Sequence, residues 1–146
     1  MKKTLRYICI ILILSMISAI PAYAQTVAEP RGSIFFASYG TDLEKTSSRY
    51  FRIWFDVTAN AAVMDVLGVS EIIVYRSADM QSWTQMKTFT IEDYPWMVDY
   101  NTGSYINYVT YNSATPGYYY TAYITFYAQD SRGIGERYVY TEILQM

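Results

Sequence analysis

The sequence has almost none of the side chains that most enzymes use for chemistry and that small secreted proteins use for cross-linking. It contains no histidine and a single cysteine, Cys9, among 146 residues. Because Cys9 lies in an N-terminal apolar run, the rest of the chain holds no thiol and can form no disulfide. The commonest general base, the thiol nucleophile and the usual zinc ligands are therefore missing. The composition predicts a protein that is not an enzyme, takes no metal or other cofactor, and has a core that is stable without disulfides.

The first 24 residues have the pattern of a secretory signal peptide. Lys2, Lys3 and Arg6 precede an apolar run from Ile8 to Ile20, and Ala22-Tyr23-Ala24 follows with the small residues that signal peptidase accepts. An uncleaved membrane anchor is the alternative, but a spanning helix needs roughly 20 apolar residues and this run is shorter. Cleavage predicts a bacterial protein that is secreted or associated with the cell envelope and has no stable membrane anchor.

The chain that cleavage would leave is acidic. The signal segment carries three of the 11 Lys and Arg residues and none of the 13 Asp and Glu residues, so the mature net charge would be −5. Phosphate binding needs a basic surface, so the sequence predicts no nucleic-acid partner and no affinity for anionic lipid. The remaining 122 residues suit one domain. We predict a flexible lead-in over residues 25–32 and a single β-domain over residues 33–146.

Apolar and polar residues alternate along several short segments. In RYFRIWFDVT, Phe51, Ile53, Phe55 and Val57 share one face, as in a strand that packs one side against a core. About seven such segments, separated by turn signals, predict an all-β fold, a single antiparallel β-sandwich. The predicted strands cover residues 33–39, 49–58, 69–77, 83–91, 105–111, 118–129 and 136–144.

Two segments interrupt the predicted strands. Residues 59–67, ANAAVMDVL, are rich in alanine and end at Gly68, which predicts a short helical turn with Asn60 as its N-cap and Gly68 just past its end. Residues 92–104 include Pro95, which argues against a central strand, so we predict an irregular loop there.

The segment from Pro116 to Glu136 carries the most specific pattern in the chain. Pro116-Gly117 precedes an alternating strand, and Gly133 and Gly135 follow it. This pattern resembles the F strand and F–G hairpin of fibronectin type III domains, which belong to the wider group of immunoglobulin-like sandwiches. The resemblance implies that Tyr120 (or Tyr118) is a corner tyrosine whose hydroxyl bonds back to the preceding loop. We place toward the core the face that holds Tyr118, Tyr120, Ala122, Ile124, Phe126 and Ala128.

Two tryptophans complete the predicted framework. The fibronectin type III resemblance implies an inward-facing Trp54, whereas the strand's alternation places Trp54 opposite Phe51, Ile53 and Phe55, so both orientations remain open. Trp83 follows a segment that looks like a hairpin of bacterial sandwich modules. The whole mature chain also resembles small uncharacterised exported proteins of Firmicutes, which implies no activity.

Tyrosine and tryptophan residues supply the candidate binding sites. On the outer face of the long strand, Tyr119, Tyr123 and Tyr127, with Tyr138 or Tyr140 of the next strand, could form an aromatic platform for a sugar or a protein. The alternative is a cross-strand ladder that only stabilises the sheet. The irregular segment gives a second candidate, since exposed aromatic side chains on loops are frequent contact anchors. Its residues are Tyr94, Trp96 and Tyr100, with Tyr105 on the following strand.

These features predict a secreted, non-catalytic binding module at the cell envelope that contacts an unknown protein or glycan partner. One alternative is a carbohydrate-binding module that uses an aromatic platform. A second alternative is a structural envelope component that self-associates through an edge strand.

Overall fold

The computed structural model of the protein describes residues 34–146. These residues form nine β-strands and one 3₁₀ turn, Pro95–Met97, and none of them lies in an α-helix. The predicted signal peptide and the whole predicted lead-in, residues 25–32, therefore lie outside the described residues. Within residues 34–146, no helix is long and apolar enough to cross a membrane. The strands are β1 (Phe36–Lys45), β2 (Phe51–Ala59), β3 (Met64–Ser77), β4 (Thr84–Thr90), β5 (Val98–Thr102), β6 (Ser104–Tyr111), β7 (Tyr119–Asp130), β8 (Gly133–Tyr140) and β9 (Leu144–Gln145).

The strands form two antiparallel sheets. The three-stranded sheet has the order β1-β2-β6, and the six-stranded sheet has the order β4-β3-β7-β8. Strand β5 pairs with the first part of β3, and β9 pairs with the first residues of β7. The all-β prediction is confirmed. The predicted count of about seven strands is too low, because β5 lies in a segment predicted as a loop and β9 is only two residues long.

The inner faces of both sheets contribute to one buried hydrophobic cluster. Strand β2 contributes Phe51, Ile53, Phe55 and Val57, each at most 1% exposed, as its alternation predicts. Strand β7 contributes the predicted inward set from Tyr120 to Ala128, whose members are fully buried, while Tyr118 before the strand is half-buried. Each buried Phe, Ile or Val side chain of these sets stabilises the fold by roughly 1.5–3 kcal/mol through the removal of apolar surface from water.

The predicted helical turn over residues 59–67 is wrong. Strand β2 ends at Ala59, a bend follows, and β3 begins at Met64. Gly68 lies inside β3 and not at a helix end. Its φ is +156°, and a Cβ there would collide with the backbone carbonyl of Met97. Glycine is needed at this position because the segment around Met97 packs directly onto the strand.

Two further boundaries differ from the prediction. Strand β1 begins at Phe36 and continues to Lys45, beyond the end of the strand predicted over residues 33–39. The segment 92–104 contains both the 3₁₀ turn and β5. Pro95 is the first residue of that turn. A backbone N–H at this position would have no acceptor within the turn, so proline loses no hydrogen bond there.

The turn at Pro116-Gly117 positions Tyr120. Gly117 has a φ of +85°, which glycine adopts at the second central position of a type II turn, and the amide of Tyr118 donates to the carbonyl of Thr115 across the turn at 3.4 Å. The hydroxyl of Tyr120 accepts a hydrogen bond from the amide of Thr115 at 2.8 Å. This is the contact with the preceding loop that the sequence predicts for Tyr120.

The β7–β8 hairpin uses its two glycines differently. The turn itself consists of Ser131 and Arg132, and Gly133 follows with a φ of +128°. Gly135 is a strand residue and not a turn residue. It pairs with Ala128 on the inner face, where a Cβ would collide with the ring of Phe35.

Candidate binding surfaces

The 3₁₀ turn presents Trp96 to solvent and holds it in place. Trp96 is 49% exposed, whereas the next residue, Met97, is fully buried and anchors the turn. The backbone carbonyl of Trp96 accepts hydrogen bonds from the Tyr105 hydroxyl at 2.5 Å and from Nδ2 of Asn107 at 3.1 Å. Nδ2 of Asn107 also donates to the Tyr105 hydroxyl at 2.6 Å. An exposed tryptophan is thus fixed to strand β6 through its own backbone.

Tyr94 forms the second aromatic wall beside Trp96. Its ring lies edge-on to Trp96 at a centroid distance of 5.2 Å and to the buried Phe89 at 4.9 Å. Nζ of Lys87 donates to the Tyr94 hydroxyl at 2.9 Å and lies 4.5 Å from the centre of the Phe89 ring. The hydrogen bond and the cation–π contact restrict the movement of both Tyr94 and Lys87.

A groove of about 420 Å³ separates the 3₁₀ turn from β6. This volume is within the range of small-ligand sites, and an aromatic wall opposite polar side chains is their usual composition. No acidic or basic side chain lines the groove. We call it the Trp96 groove, and its lining residues are Tyr94, Trp96, Asn107, Tyr108, Val109 and Thr110.

The structure brings together three of the four residues predicted for this site. Tyr94 and Trp96 line the Trp96 groove, and the hydroxyl of Tyr105 donates to the Trp96 carbonyl. Tyr100 does not join them. It lies on β5, 60% exposed, opposite Val66 of β3.

Asn107, which holds the Trp96 carbonyl, is not among the residues predicted for this site. Asn107 lies opposite Phe55, whose side chain is buried, so it occupies an inward position of β6. A polar residue at an inward position of an alternating strand is unusual, because a buried amide must find hydrogen-bond partners. This polar residue at an inward position is the sequence signal that could have identified Asn107.

A second aromatic surface lies on the outer face of the six-stranded sheet. Tyr123 of β7 lies 4.8 Å from Tyr140 and 6.0 Å from Tyr138, both on β8, with the Tyr123 and Tyr138 rings nearly parallel. Tyr75 of β3, which the sequence analysis did not select, lies 6.5 Å from Tyr140. We call these four residues the tyrosine patch. Tyr138 and Tyr140 are 56% and 61% exposed.

The other two predicted platform residues do not join the tyrosine patch. Within residues 34–146, the rings of Tyr119 and Tyr127 have no aromatic neighbour. The hydroxyl of Tyr127 donates to Oε1 of Gln129 at 2.6 Å.

Two residues of the tyrosine patch, Tyr123 and Tyr138, have raised pKa values. Burial is the main reason that the pKa of Tyr123 lies above its ordinary value of 10.0, and Tyr140 raises it further. The Tyr138 hydroxyl donates to the Glu136 carboxylate at 2.6 Å, and this hydrogen bond raises the pKa of Tyr138. The phenols of Tyr123 and Tyr138 are therefore neutral hydrogen-bonding groups at pH 7.

Trp54 lies on the outer face of the three-stranded sheet, so the inward orientation implied by the fibronectin type III resemblance is wrong for this residue. Its Nε1 donates to Glu44 at 2.8 Å, and its ring packs 4.6 Å from Tyr108. The Arg52 guanidinium lies 4.7 Å from the Tyr108 ring and 3.5 Å from Glu44. The alternation of β2 decides the orientation, since turning Trp54 inward would expose its buried neighbours. The other framework tryptophan, Trp83, is half-buried immediately before β4.

The described part of the chain contains no group of three or more Asp, Glu, His or Cys side chains that could hold a metal ion.

Comparisons with known proteins identify no family for this chain. No family model matches the chain, and no curated protein matches its sequence. A search of solved structures finds similarity to Spo0M, a sporulation control protein from Bacillus subtilis, at 9% sequence identity and a TM-score of 0.41. The match covers 73% of this chain but only 49% of Spo0M, so the chain spans about half the length of that protein. A likeness at this TM-score carries no argument about fold or function, and the resemblances to fibronectin type III domains and to exported proteins of Firmicutes stay predictions.

Proposed function

We propose that the protein is an exported, non-catalytic binding module of the bacterial cell envelope, with a fibronectin type III-like β-sandwich whose Trp96 groove receives its partner. One observation carries the proposal: Trp96 is 49% exposed, its backbone is held by the two hydrogen bonds to its carbonyl, and its ring packs edge-on against Tyr94 at 5.2 Å. Binding usually costs free energy to order mobile loops and side chains, and a turn whose backbone is already held reduces that cost. Tryptophan is also among the residues that contribute most to binding at interfaces.

The groove's composition supports binding and not catalysis. Its lining has aromatic, aliphatic, hydroxyl and amide side chains but no carboxylate, and the nearby ammonium group of Lys87 is hydrogen-bonded to Tyr94. Histidine and carboxylate groups, which serve most often as general acids and bases, are absent from this lining.

The fibronectin type III-like architecture is supported by one end of the fold. The Pro116-Gly117 turn and the hydrogen bond between Thr115 and the Tyr120 hydroxyl have the sequence order and geometry of a tyrosine corner. The outward Trp54 departs from the family pattern, and the architecture therefore rests on this corner and on the two antiparallel sheets.

Carbohydrate binding at the tyrosine patch is the second candidate function. It is favoured by the exposed rings of Tyr138 and Tyr140, which lie beside Tyr123 on one face of the six-stranded sheet. Rings of this kind offer apolar faces to a sugar and hydroxyl groups to its substituents.

The two candidates are separated by matched alanine variants. The mature protein and two variants are used to capture partners from the envelope of the producing cell. The variants are Trp96→Ala and the control Tyr100→Ala, which removes an aromatic side chain that is 60% exposed and lies outside the groove. We expect the recovered partner to bind Trp96→Ala at least about tenfold more weakly, and Tyr100→Ala within about twofold of the unaltered protein. A circular dichroism melt of each variant verifies the fold.

A glycan array supplies the opposing result. Saturable glycan binding that is lost in Tyr138→Ala and Tyr140→Ala but kept in Trp96→Ala would support the second candidate and refute the role of the Trp96 groove.

A further inference from the structure

One backbone edge of strand β6 has no partner strand within residues 34–146. Among the described residues it pairs with β2 alone, at the end of the three-stranded sheet. In an antiparallel ladder, alternate residues direct both backbone groups to the partner strand. The backbone amide of Ala59 donates to the carbonyl of Gly103 at 2.9 Å, so these two residues form a hydrogen-bonded pair. The pairing of β2 with β6 continues in the same register, from Thr58 opposite Ser104 onward. The odd-numbered residues therefore bond to β2, and Ile106, Tyr108 and Thr110 direct their N–H and C=O groups to the free edge.

The hydrogen bonds at this edge agree with that assignment. The amide of Tyr108 does not point to β2, since it donates to Oδ1 of Asn107 at 2.9 Å. The Tyr108 carbonyl and both backbone groups of Ile106 and Thr110 have no hydrogen-bond partner within residues 34–146.

The edge also lacks the usual protection against strand pairing. Natural edge strands carry charged residues or proline, which oppose the addition of another strand. Strand β1 carries Asp42, Glu44 and Lys45, and β8 carries Glu136 and Arg137. Strand β6, with the sequence SYINYVTY, has neither a charge nor a proline.

The Trp96 groove runs along this edge. One wall consists of the consecutive residues 107–110 of β6, and the other consists of Tyr94 and Trp96. Side chains of a strand alternate between its two faces. A strand added to β6 would place every second side chain in the groove and the intervening ones beside Ile106, which is 68% exposed on the outer face.

We infer that the partner of the Trp96 groove is a peptide segment in extended conformation, which adds to β6 as a fourth strand and inserts a bulky apolar side chain against Trp96. This inference rests on the proposed function and names the class of its ligand. In this mode of recognition, backbone hydrogen bonds supply affinity and pockets for alternate side chains supply specificity. A glycan would leave the free amide and carbonyl groups of the edge without a periodic partner.

A second copy of the chain fits the edge less well. Symmetric pairing of two β6 strands across Ile106–Thr110 would bring the Tyr108 amides of both copies into the new ladder. Both are already engaged by Asn107, so two existing hydrogen bonds would have to break. A peptide meets this occupied amide only once.

The test uses linear peptides selected from a phage-displayed random library on the mature protein, with affinities measured by fluorescence anisotropy. Thr110→Pro removes an amide that points away from β2, so it blocks the edge without removing a ladder hydrogen bond. Thr110→Val keeps the amide but lacks the hydroxyl, so comparing the two variants separates the loss of the edge amide from the loss of the Thr110 side chain. Tyr100→Ala, outside the groove, is the control. We expect Thr110→Pro and Trp96→Ala to weaken peptide binding about tenfold or more, Thr110→Val to weaken it clearly less than Thr110→Pro, and Tyr100→Ala less than about twofold.

A second measurement leaves the protein unchanged, in case Thr110→Pro does not fold. The selected peptide is N-methylated at one position at a time. Strand addition predicts that methylation at alternate residues abolishes binding, while methylation at the intervening residues has little effect.

The other outcomes distinguish the inference from the proposed function. Trp96-dependent peptides that tolerate methylation at every position, or Trp96-dependent binding of glycans only, would overturn the inference and leave the proposed function standing. Dimerisation in sedimentation experiments that Thr110→Pro abolishes would identify a second copy as the occupant and overturn the inference. Failure to find any ligand whose binding depends on Trp96 would overturn both.

Discussion

The Tyr120 hydroxyl allows a direct test of how one buried polar contact stabilises this fold. Tyr120 is fully buried, and its hydroxyl accepts the Thr115 amide at 2.8 Å. Its ring packs 5.2 Å from Phe51 and 5.8 Å from Tyr111. Tyr120→Phe removes one oxygen and keeps the ring, so the aromatic packing should survive.

The expected loss follows from the energetics of hydrogen bonds. A typical intramolecular hydrogen bond contributes about 0.5–1.5 kcal/mol net, and a buried donor left without its partner costs about 1–3 kcal/mol. Thr115 is half-buried, so water can reach its amide only in part. We therefore expect Tyr120→Phe to lower the free energy of unfolding by about 1–3 kcal/mol.

Urea unfolding measures this loss. The transition midpoint should fall while the m-value stays constant, since the surface exposed on unfolding hardly changes. Tyr119→Phe is the matched control, because Tyr119 is the preceding residue and points to the opposite face of β7. Its effect should stay within about 0.5 kcal/mol. A loss below about 0.5 kcal/mol for Tyr120→Phe as well would refute the view that the hydroxyl secures the loop before β7.

Three further predictions concern other parts of the chain. Gly68→Ala should lower the free energy of unfolding in urea by about 2 kcal/mol or more, because the new Cβ meets the Met97 carbonyl and the φ of residue 68 is unfavourable for alanine. An unchanged urea midpoint would contradict the close packing of Met97 on β3. Glu136→Gln should lower the pKa of Tyr138 toward 10.0 in a spectrophotometric titration of tyrosinate. Since the pKa of Tyr138 is raised in the folded state, its contribution to stability is present below pH 10 and is lost as the pH rises through that raised pKa; an unshifted titration in the variant would exclude the carboxylate as the cause. Mass spectrometry of the exported protein should find Gln25 at the N-terminus, and a retained segment 1–24 would refute signal cleavage.

The parts of the fold that the sequence predicts well are those governed by local alternation. Strands β2 and β7 each bury the predicted face, because a shift of one residue would turn the whole apolar set to solvent. The same rule decides the orientation of Trp54 against the family pattern. A strand's two-residue period is therefore the more reliable guide to which face is buried.

The predicted helix failed because its signal was compositional. Alanine and the glycine at its end favour a helical turn, yet Met64 and Leu67 fill the core from β3, whose backbone pairs with both β5 and β7. These pairings join residues far apart in the sequence, so no local pattern reveals them. Gly68 shows the ambiguity clearly: the same residue marks a helix end in one context and a close backbone approach in the other.

The candidate site was predictable in its aromatic residues but not in its geometry. Exposed tyrosine and tryptophan in an irregular segment suggest contact, and Tyr94 and Trp96 do line a groove. What makes the groove a candidate for peptide recognition is the backbone edge of β6, and an edge is a property of sheet order, which the sequence does not contain. Asn107 joins the two features, since its amide holds the Trp96 carbonyl with one atom and the Tyr108 amide with another. Replacing Asn107 should therefore affect both walls of the groove at once, whereas a change in Trp96 or Thr110 alters only one.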